Sequence, residues 1–125
     1  MDAYRVAREL NAGAAELASR LGPGRGDLAD QLRRAASSVA LNIAEGAGEF
    51  TPREKARFYR IARRSATECA AVLDALVDTR LIAAVEAEPL RNRAARIVAM
   101  LVLLARAMEA GEIRRHGNGH GKQAL

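Results

Sequence analysis

The sequence predicts an all-α protein, an up-down antiparallel four-helix bundle, and two features of the chain carry that prediction. Alanine dominates the apolar half of the sequence and only 3% of the residues are aromatic. This composition suits closely packed helices, because strands favour β-branched and aromatic side chains. Apolar residues also recur at alternating spacings of three and four, which marks one face of a helix. Such segments, joined by short connections, form a bundle with antiparallel neighbours.

The first two predicted helices are separated by a glycine-rich break. The first helix is expected from about Ala3 to Leu21, and the Gly-Pro-Gly-Arg-Gly sequence of residues 22–26 ends it. Asp27 is the expected N-cap of the second helix and Gly46 its C-terminal stop. The inner faces consist of Ala3, Ala7, Leu10, Ala14, Leu17 and Leu21 in the first helix and Leu28, Leu32, Ala35, Val39 and Ile43 in the second.

The third helix has the clearest predicted start. Thr51 can cap the free backbone N–H groups, Pro52 suits the first helical position, and Glu54 completes a capping box. This helix is expected to end at about Thr79, and a fourth to begin between Val85 and Pro89 and to end near Gly111. The inner faces are Phe58, Ile61, Ala62, Ser65, Cys69, Val72, Leu73 and Leu76 in the third helix and Leu90, Ala94, Ile97, Leu101, Leu104 and Met108 in the fourth.

Length and composition predict one domain, the bundle of residues 1–110, followed by a flexible, basic, glycine-rich tail over residues 111–125. A chain of 125 residues and 13.4 kDa can close one hydrophobic core. A single cysteine, Cys69, excludes an internal disulfide and suggests a reduced thiol in the cytoplasm. No apolar run is long enough to span a bilayer and no signal core is present, so we expect a cytoplasmic protein without membrane contact.

A distinctive motif spans the second and third helices. Its residues are Ser38, Val39, Asn42, Ile43, Ala44, Glu45 and Gly46, followed by Phe58, Ala62, Ser65 and Glu68. The motif resembles that of the bacterial 23S rRNA intervening-sequence (S23) proteins, a family of four-helix bundles. The resemblance implies the same fold and a ring-like homo-oligomer, a pentamer. It extends to the accessory variability proteins of diversity-generating retroelements, which assist a reverse transcriptase.

The polar residues of this motif have two interpretations. Asn42, Glu45, Ser65 and Glu68 flank the core seams, where polar groups need partners, so they are expected to bond across helices and fix the register. Alternatively, Glu45 and Glu68 form a shared acidic site for acid–base chemistry, metal binding or a partner.

Catalytic and metal-binding signatures are missing from the sequence. The helices contain no histidine to complete a metal site, and His116 and His120 lie in the predicted tail. Arg91-Asn92 begins the RNA-cleaving motif of HEPN bundles, but no histidine follows it. We therefore predict no catalytic residue, no metal, no cofactor and no enzymatic activity.

Apolar residues also point away from the core seams. A count of about 100° per residue places Ala99, Val102 and Leu103 outward on the fourth helix. The same count places Ala40 and Leu41 outward on the second helix, together with Ser37 and Ala44. Larger apolar patches of this kind mark interfaces, which predicts an oligomer interface through Leu41, Ala99, Val102 and Leu103. The alternative is that scattered surface alanines need no partner.

Basic residues form a stripe on the third helix. Arg53, Arg57, Arg60 and Arg64 are spaced by four, three and four and share one face, with Arg63 beside it. A net charge of +5 and a pI near 10.3 favour a nucleic acid or another acidic partner. The alternative is a solvated face with acidic residues nearby. Because Phe58 is expected in the core, base stacking is not predicted.

Two functional hypotheses follow. The first is a non-catalytic accessory protein that binds RNA or DNA by its phosphates. The second is a protein-interaction scaffold whose arginine face docks an acidic partner, such as a reverse transcriptase or another component of a complex. A steep salt dependence of polynucleotide binding is required by the first hypothesis.

Overall fold

Four helices form a bundle, which confirms the predicted fold class. The structure, a computed structural model, describes the backbone of residues 2–22 and 26–124 and the side chains of residues 2–22 and 26–111. The helices are α1 (Asp2–Arg20), α2 (Gly26–Gly48), α3 (Pro52–Asp78) and α4 (Ala84–Ala124). Each helix packs against its neighbours in the sequence, and α1 also packs against α4. This order places α1 diagonally across the bundle from α3.

The hydrophobic core lies along the predicted seams. Among the largest fully buried side chains are Leu10, Leu32, Ile43, Leu73 and Ile97, which come from all four helices. Fully buried alanines such as Ala36, Ala66 and Ala94 lie between them and let the helix backbones approach closely. Besides Phe58, the predicted inner residues that are only partly buried are Leu21, Leu28, Ile61, Leu104 and Met108.

Both ends of α3 are fixed by local hydrogen bonds. Thr51 caps the N-terminus as predicted, and its hydroxyl accepts a bond of 3.2 Å from the backbone N–H of Glu54. The predicted capping box is incomplete, because the Glu54 carboxylate accepts no bond from the backbone N–H of Thr51. At the other end Arg80 has a φ of 62°, in the left-handed region. The N–H of Leu81 donates to the carbonyl of Leu76 at 2.9 Å, and this pattern is the Schellman motif that ends many helices.

The connection to α4 is fixed by an acidic side chain. The carboxylate of Glu86 accepts a 3.0 Å bond from the backbone N–H of Ala83, and its other oxygen lies 3.3 Å from Arg20 of α1. The helix begins at Ala84, one residue before the predicted range, with Pro89 inside it. It continues past Gly111, where the sequence predicted its end. The flexibility of residues 111–125 stays a prediction.

Gly46 does not stop α2, contrary to the prediction. The helix continues to Gly48, and Gly46 is buried inside it. A Cβ atom at Gly46 would lie 2.7 Å from Cε1 and 2.9 Å from Cδ1 of Tyr59, closer than real Cβ contacts. The glycine is therefore required by close packing of α2 on α3. Asp27 also differs from prediction, since α2 begins at Gly26 and the aspartate lies in its first turn.

The inner face of α3 differs from the prediction at its aromatic residues. Tyr59 is buried, with 3% of its surface exposed, whereas Phe58 is only half-buried. The space left by Gly46 accommodates the Tyr59 ring, and burial raises the pKa of its hydroxyl. On α2, Ala40 is buried rather than outward as predicted. A fixed angle of about 100° per residue does not decide which of two neighbouring positions at the edge of a buried face turns inward.

Residues 23–25, the centre of the predicted glycine-rich break, lie outside the described residues.

Replacement of Gly46 tests the close approach of α2 and α3. We expect Gly46→Ala to lower the free energy of unfolding by about 1–3 kcal/mol, because the added methyl group overpacks a buried contact. Gly48→Ala is the matched control, since nothing lies within 4 Å of a Cβ atom there. It should leave stability unchanged or raise it by up to about 1 kcal/mol through helix propensity. Urea unfolding measures both, and equal effects would contradict the packing role.

Candidate functional site

The outward face of α3 is strongly basic. Arg53, Arg57, Arg60 and Arg64 are all exposed, as is Arg63 at its edge. We call these five residues the arginine face. At 1.5 Å per residue the face extends along the helix for about 16 Å. It lies on the side of α3 opposite the buried Ala62, Ser65 and Cys69.

Arg57 contacts two neighbours on its own helix. Its Nε donates to the carboxylate of Glu54 at 3.2 Å, and its guanidinium carbon lies 4.5 Å from the centroid of the Phe58 ring. A cation over an aromatic face is stabilised by the ring quadrupole. The terminal Nη groups of Arg57 make no hydrogen bond to the residues whose side chains are described. The guanidinium is thus positioned with donors available to a ligand.

Arg60 has an acidic partner from another helix. Its Nη1 lies 2.7 Å from a carboxylate oxygen of Glu109 on α4. Both side chains are about half exposed, so this ion pair contributes little to stability. At Arg60 the structure thus has the nearby acidic residue that an ordinary solvated helix face would have, and Glu109 reduces the local positive charge.

The other arginines of the face lack such partners. Arg53, Arg63 and Arg64 make no ion pair with any residue whose side chain is described. From Pro52 to Glu68 the helix has six basic residues and two acidic ones. A planar guanidinium presents paired donors that match the oxygens of a phosphate or carboxylate. The arginine face is thus suited to bind an anionic partner of either kind.

Lys55 belongs to the scaffold rather than to the arginine face. Its ammonium group donates to the carbonyls of Gly46 at 3.3 Å and Ala47 at 3.0 Å, at the C-terminal end of α2. The last turn of α2 has no basic residue of its own. Lys55 therefore supplies the positive charge that stabilises the carbonyl end of a helix.

The motif polar residues divide into two groups in the structure. Asn42 donates from Nδ2 to the carbonyl of Ser38 at 2.8 Å and to its hydroxyl at 3.0 Å. The Ser38 hydroxyl lies 2.8 Å from that of the buried Ser65, so the three side chains link α2 to α3. Glu45 and Glu68 are exposed and take no part in this chain. They make no hydrogen bond or ion pair with the described side chains.

The structure shows no assembled site for metal or thiol chemistry in the part of the chain that it describes. No group of three or more histidine, cysteine, aspartate or glutamate residues lies together there. Burial, together with the nearby charge of Glu68, raises the pKa of the Cys69 thiol to about 12. The thiol is therefore protonated and weakly nucleophilic at neutral pH. The side chains of His116 and His120 lie outside the described residues.

Two apolar surfaces remain uncovered in the single chain. Leu41 is 65% exposed and Leu103 is 66% exposed, while Ala99 is exposed and Val102 half-buried. Leu103 borders a groove of about 410 Å³ between the start of α1 and α4. The groove is lined by Asp2, Ala3, Met100, Leu103, Leu104 and Ala107. None of the helices in the described residues is sufficiently long and apolar to cross a membrane.

Sequence reasoning missed three residues of the site. Glu109 comes from a distant part of the chain, and no sequence signal pairs it with Arg60. Ser38 was noted in the motif but not as the link between Asn42 and Ser65. Phe50 is 96% exposed in the connection between α2 and α3. No sequence signal predicted its exposure, because an apolar residue directly before an N-cap often packs against the first turns of the helix.

Comparisons with known proteins agree with this architecture. Residues 1–103 match the sequence model of a family described as 23S rRNA-intervening sequence protein. A solved structure from Bacteroides thetaiotaomicron VPI-5482, a protein of unknown function from the S23 ribosomal protein family, has the same fold with a TM-score of 0.78. The two chains are 20% identical, and the alignment covers 82% of this chain and 97% of the other. No protein with a curated description matches the sequence.

Removal of the Asn42 side chain tests the hydrogen-bonded chain between α2 and α3. We expect Asn42→Ala to lower the free energy of unfolding by about 0.5–1.5 kcal/mol, because two side-chain hydrogen bonds to Ser38 are lost while the Ser38 hydroxyl keeps its bond to Ser65. Ser37→Ala is the matched control, since the Ser37 hydroxyl bonds only to the carbonyl of Arg34 among the described residues and lies outside the chain from Asn42 to Ser65. Unfolding curves measure both variants. Unchanged stability of Asn42→Ala with loss of polynucleotide binding would instead assign Asn42 to a binding site.

Proposed function

The chain belongs to the 23S rRNA-intervening sequence protein family, and on this basis we propose that it is a non-catalytic, nucleic-acid-binding accessory protein of the bacterial cytoplasm. The observation that carries the proposal is the arginine face of α3. Neither the family description nor the solved relative names a catalytic activity. The proposed role therefore rests on binding alone.

The spacing of the arginine face suits a phosphate backbone. Its length of about 16 Å corresponds to roughly five steps of a strand with a 3.4 Å rise per nucleotide. Each guanidinium that contacts a phosphate releases a condensed counterion, which favours binding at low salt. Arg53 lies in the first turn of α3, where the partial positive charge of the helix dipole adds to its own.

The clustering of like charges also supports a ligand. Arginines three and four residues apart repel one another and destabilise the isolated helix by about 0.2–0.5 kcal/mol per pair. Among the described side chains, only Glu54 and Glu109 offset this repulsion, at Arg57 and Arg60. An anionic ligand would neutralise the remaining charge. Contacts to phosphates carry no base information, so binding should vary little with sequence.

A protein scaffold is the second candidate function. The ion pair between Arg60 and Glu109 supports the scaffold function, because it shows that an arginine of this face can bind a carboxylate. A partner with an acidic surface, such as a reverse transcriptase or another component of a complex, would make similar contacts. Binding of such a partner would not follow the steep salt dependence of counterion release from a polynucleotide.

We also propose that the protein self-associates, as family membership and the uncovered apolar surfaces suggest. Leu41 and Leu103 are too large and too exposed to be typical of a monomer surface, and Leu103 borders an apolar groove. A ring-like pentamer is the assembly that the family resemblance implies. Repetition of the arginine face in a ring would strengthen the positive field and the attraction of a polyanion.

A double replacement on the arginine face tests nucleic-acid binding. Arg53→Ala with Arg64→Ala removes two exposed side chains that have no ion pair among the described residues, so the fold should persist. We expect weaker binding to any RNA or DNA of similar shape, because phosphate contacts are lost. The log–log salt slope should become shallower by about 0.7–0.9 for each lost contact. A polynucleotide titration at two salt concentrations measures both quantities.

The matched control removes the same charge from α1. Arg5→Ala with Arg8→Ala alters exposed arginines on the helix diagonally opposite α3. This control should retain most of the affinity and the full salt slope. Equal effects of the two double variants would show that only net charge matters, and no effect of either would leave the scaffold function as the better proposal.

Light scattering at micromolar concentration tests self-association. We expect a mass well above the 13.4 kDa of one chain. Leu103→Glu should shift the assembly toward smaller species, because a charge would be buried in an apolar contact. The control is Val85→Glu, at an exposed apolar position at the start of α4. A wild-type mass equal to that of a single chain would contradict the proposal.

A further inference from the structure

Phe50 is exposed in a way that packing does not explain. It is 96% exposed, more than any other large hydrophobic residue of the described chain. It lies between the end of α2 at Gly48 and the cap of α3 at Thr51, at the same end of the bundle as Arg53. Three peptide units separate Phe50 from Arg53, so their Cα atoms lie within about 11 Å of each other. An exposed aromatic residue thus lies three positions before the first arginine of the arginine face.

A second aromatic residue belongs to the same region. Phe58 is only half-buried, and the guanidinium of Arg57 lies over its ring. The sequence had placed Phe58 in the core and excluded base stacking on that ground, but the core position belongs to Tyr59. Aromatic rings and guanidinium planes are the surfaces on which unpaired bases stack in nucleic-acid-binding proteins.

The surroundings of Phe50 do not resemble the centre of a protein interface. An aromatic hot spot normally lies within a patch of well-packed apolar contacts that exclude water. The chain neighbours of Phe50 are Gly48, Glu49, Thr51 and Pro52, and a Cβ atom at Gly48 would meet open space. The other exposed large hydrophobic residues, such as Leu41, Val85 and Leu103, lie on other elements of the bundle. A fully exposed ring three positions before the arginine face fits a nucleobase better.

We propose that Phe50 stacks on an unpaired base of a single-stranded nucleic acid whose phosphates lie on the arginine face. The inference rests on the proposed function, and it adds the preference for a single strand. In a duplex the bases are stacked on one another and their faces are not available to Phe50. Stacking is tolerant of sequence, because every base has an aromatic face. The site therefore discriminates strand state rather than base identity.

A comparison of two probes tests this preference. The probes are a short unstructured RNA oligonucleotide and the duplex that it forms with its complement, titrated against the full chain at fixed salt. We expect wild type to bind the single strand more tightly. Phe50→Ala should weaken single-strand binding by about five- to 160-fold, the range that corresponds to removal of one stacking aromatic residue. Its duplex affinity and its salt slope should not change, because the phosphate contacts remain.

Two further variants make the test specific. Phe50→Tyr keeps an aromatic face and should retain single-strand affinity. Val85→Ala removes another exposed apolar side chain, near the opposite end of the bundle, and should have no effect. Equal loss in Phe50→Ala and Val85→Ala would overturn the stacking role.

Failure of the inference can be told apart from failure of the proposed function. If wild type binds both probes with steep salt dependence but Phe50→Ala binds like wild type, the stacking inference is wrong and the phosphate site stands. If wild type binds neither probe, the proposed function itself is wrong. If Phe50→Ala changes the oligomeric mass measured by light scattering, the residue belongs to a protein interface and the inference is overturned.

Discussion

The contact between Gly46 and the ring of Tyr59 sets the geometry on which the other features depend. Because no Cβ atom fits between them, α2 and α3 approach closely at this point. The approach places Lys55 over the carbonyls of Gly46 and Ala47, and it leaves a short connection before the Thr51 cap. The orientation of α3 about its own axis is fixed by the contact between Gly46 and Tyr59 and by the Ser38–Ser65 hydrogen bond.

That orientation determines which side chains α3 presents to solvent. With Tyr59, Ser65 and Cys69 directed inward, the arginine face must point outward. The stabilising interactions thus lie on one side of α3 and the uncompensated charge on the other. Replacement of the exposed arginines should therefore cost the fold little, whereas replacement of the buried glycine should disturb both the fold and the arginine face. The short connection between α2 and α3 places Phe50 three positions before Arg53.

The sequence predicted the parts of this structure that depend on local pattern. Helix number, the core seams and the Thr51 cap follow from spacing and capping chemistry. The role of Gly46 could not be predicted in this way, because a glycine that ends a helix cannot be distinguished in sequence from one that leaves room for a neighbouring ring. The sequence predicted Phe58 in the core, but Tyr59 is buried instead. Adjacent residues differ by about 100° around the helix axis, and only the packing of α3 on its neighbours decides which of the two turns inward. The pairing of Arg60 with Glu109 depends on tertiary structure alone.

The most direct test of the account is to map where an unstructured RNA contacts the protein. A nuclear magnetic resonance titration of isotope-labelled protein would follow the backbone amides and the arginine Nε groups of each helix. We predict shifts concentrated at Phe50, Arg53, Arg57 and Arg64, with α1 unaffected. Shifts centred on α1 or on the apolar groove beside Leu103, or no shifts at low salt, would contradict it.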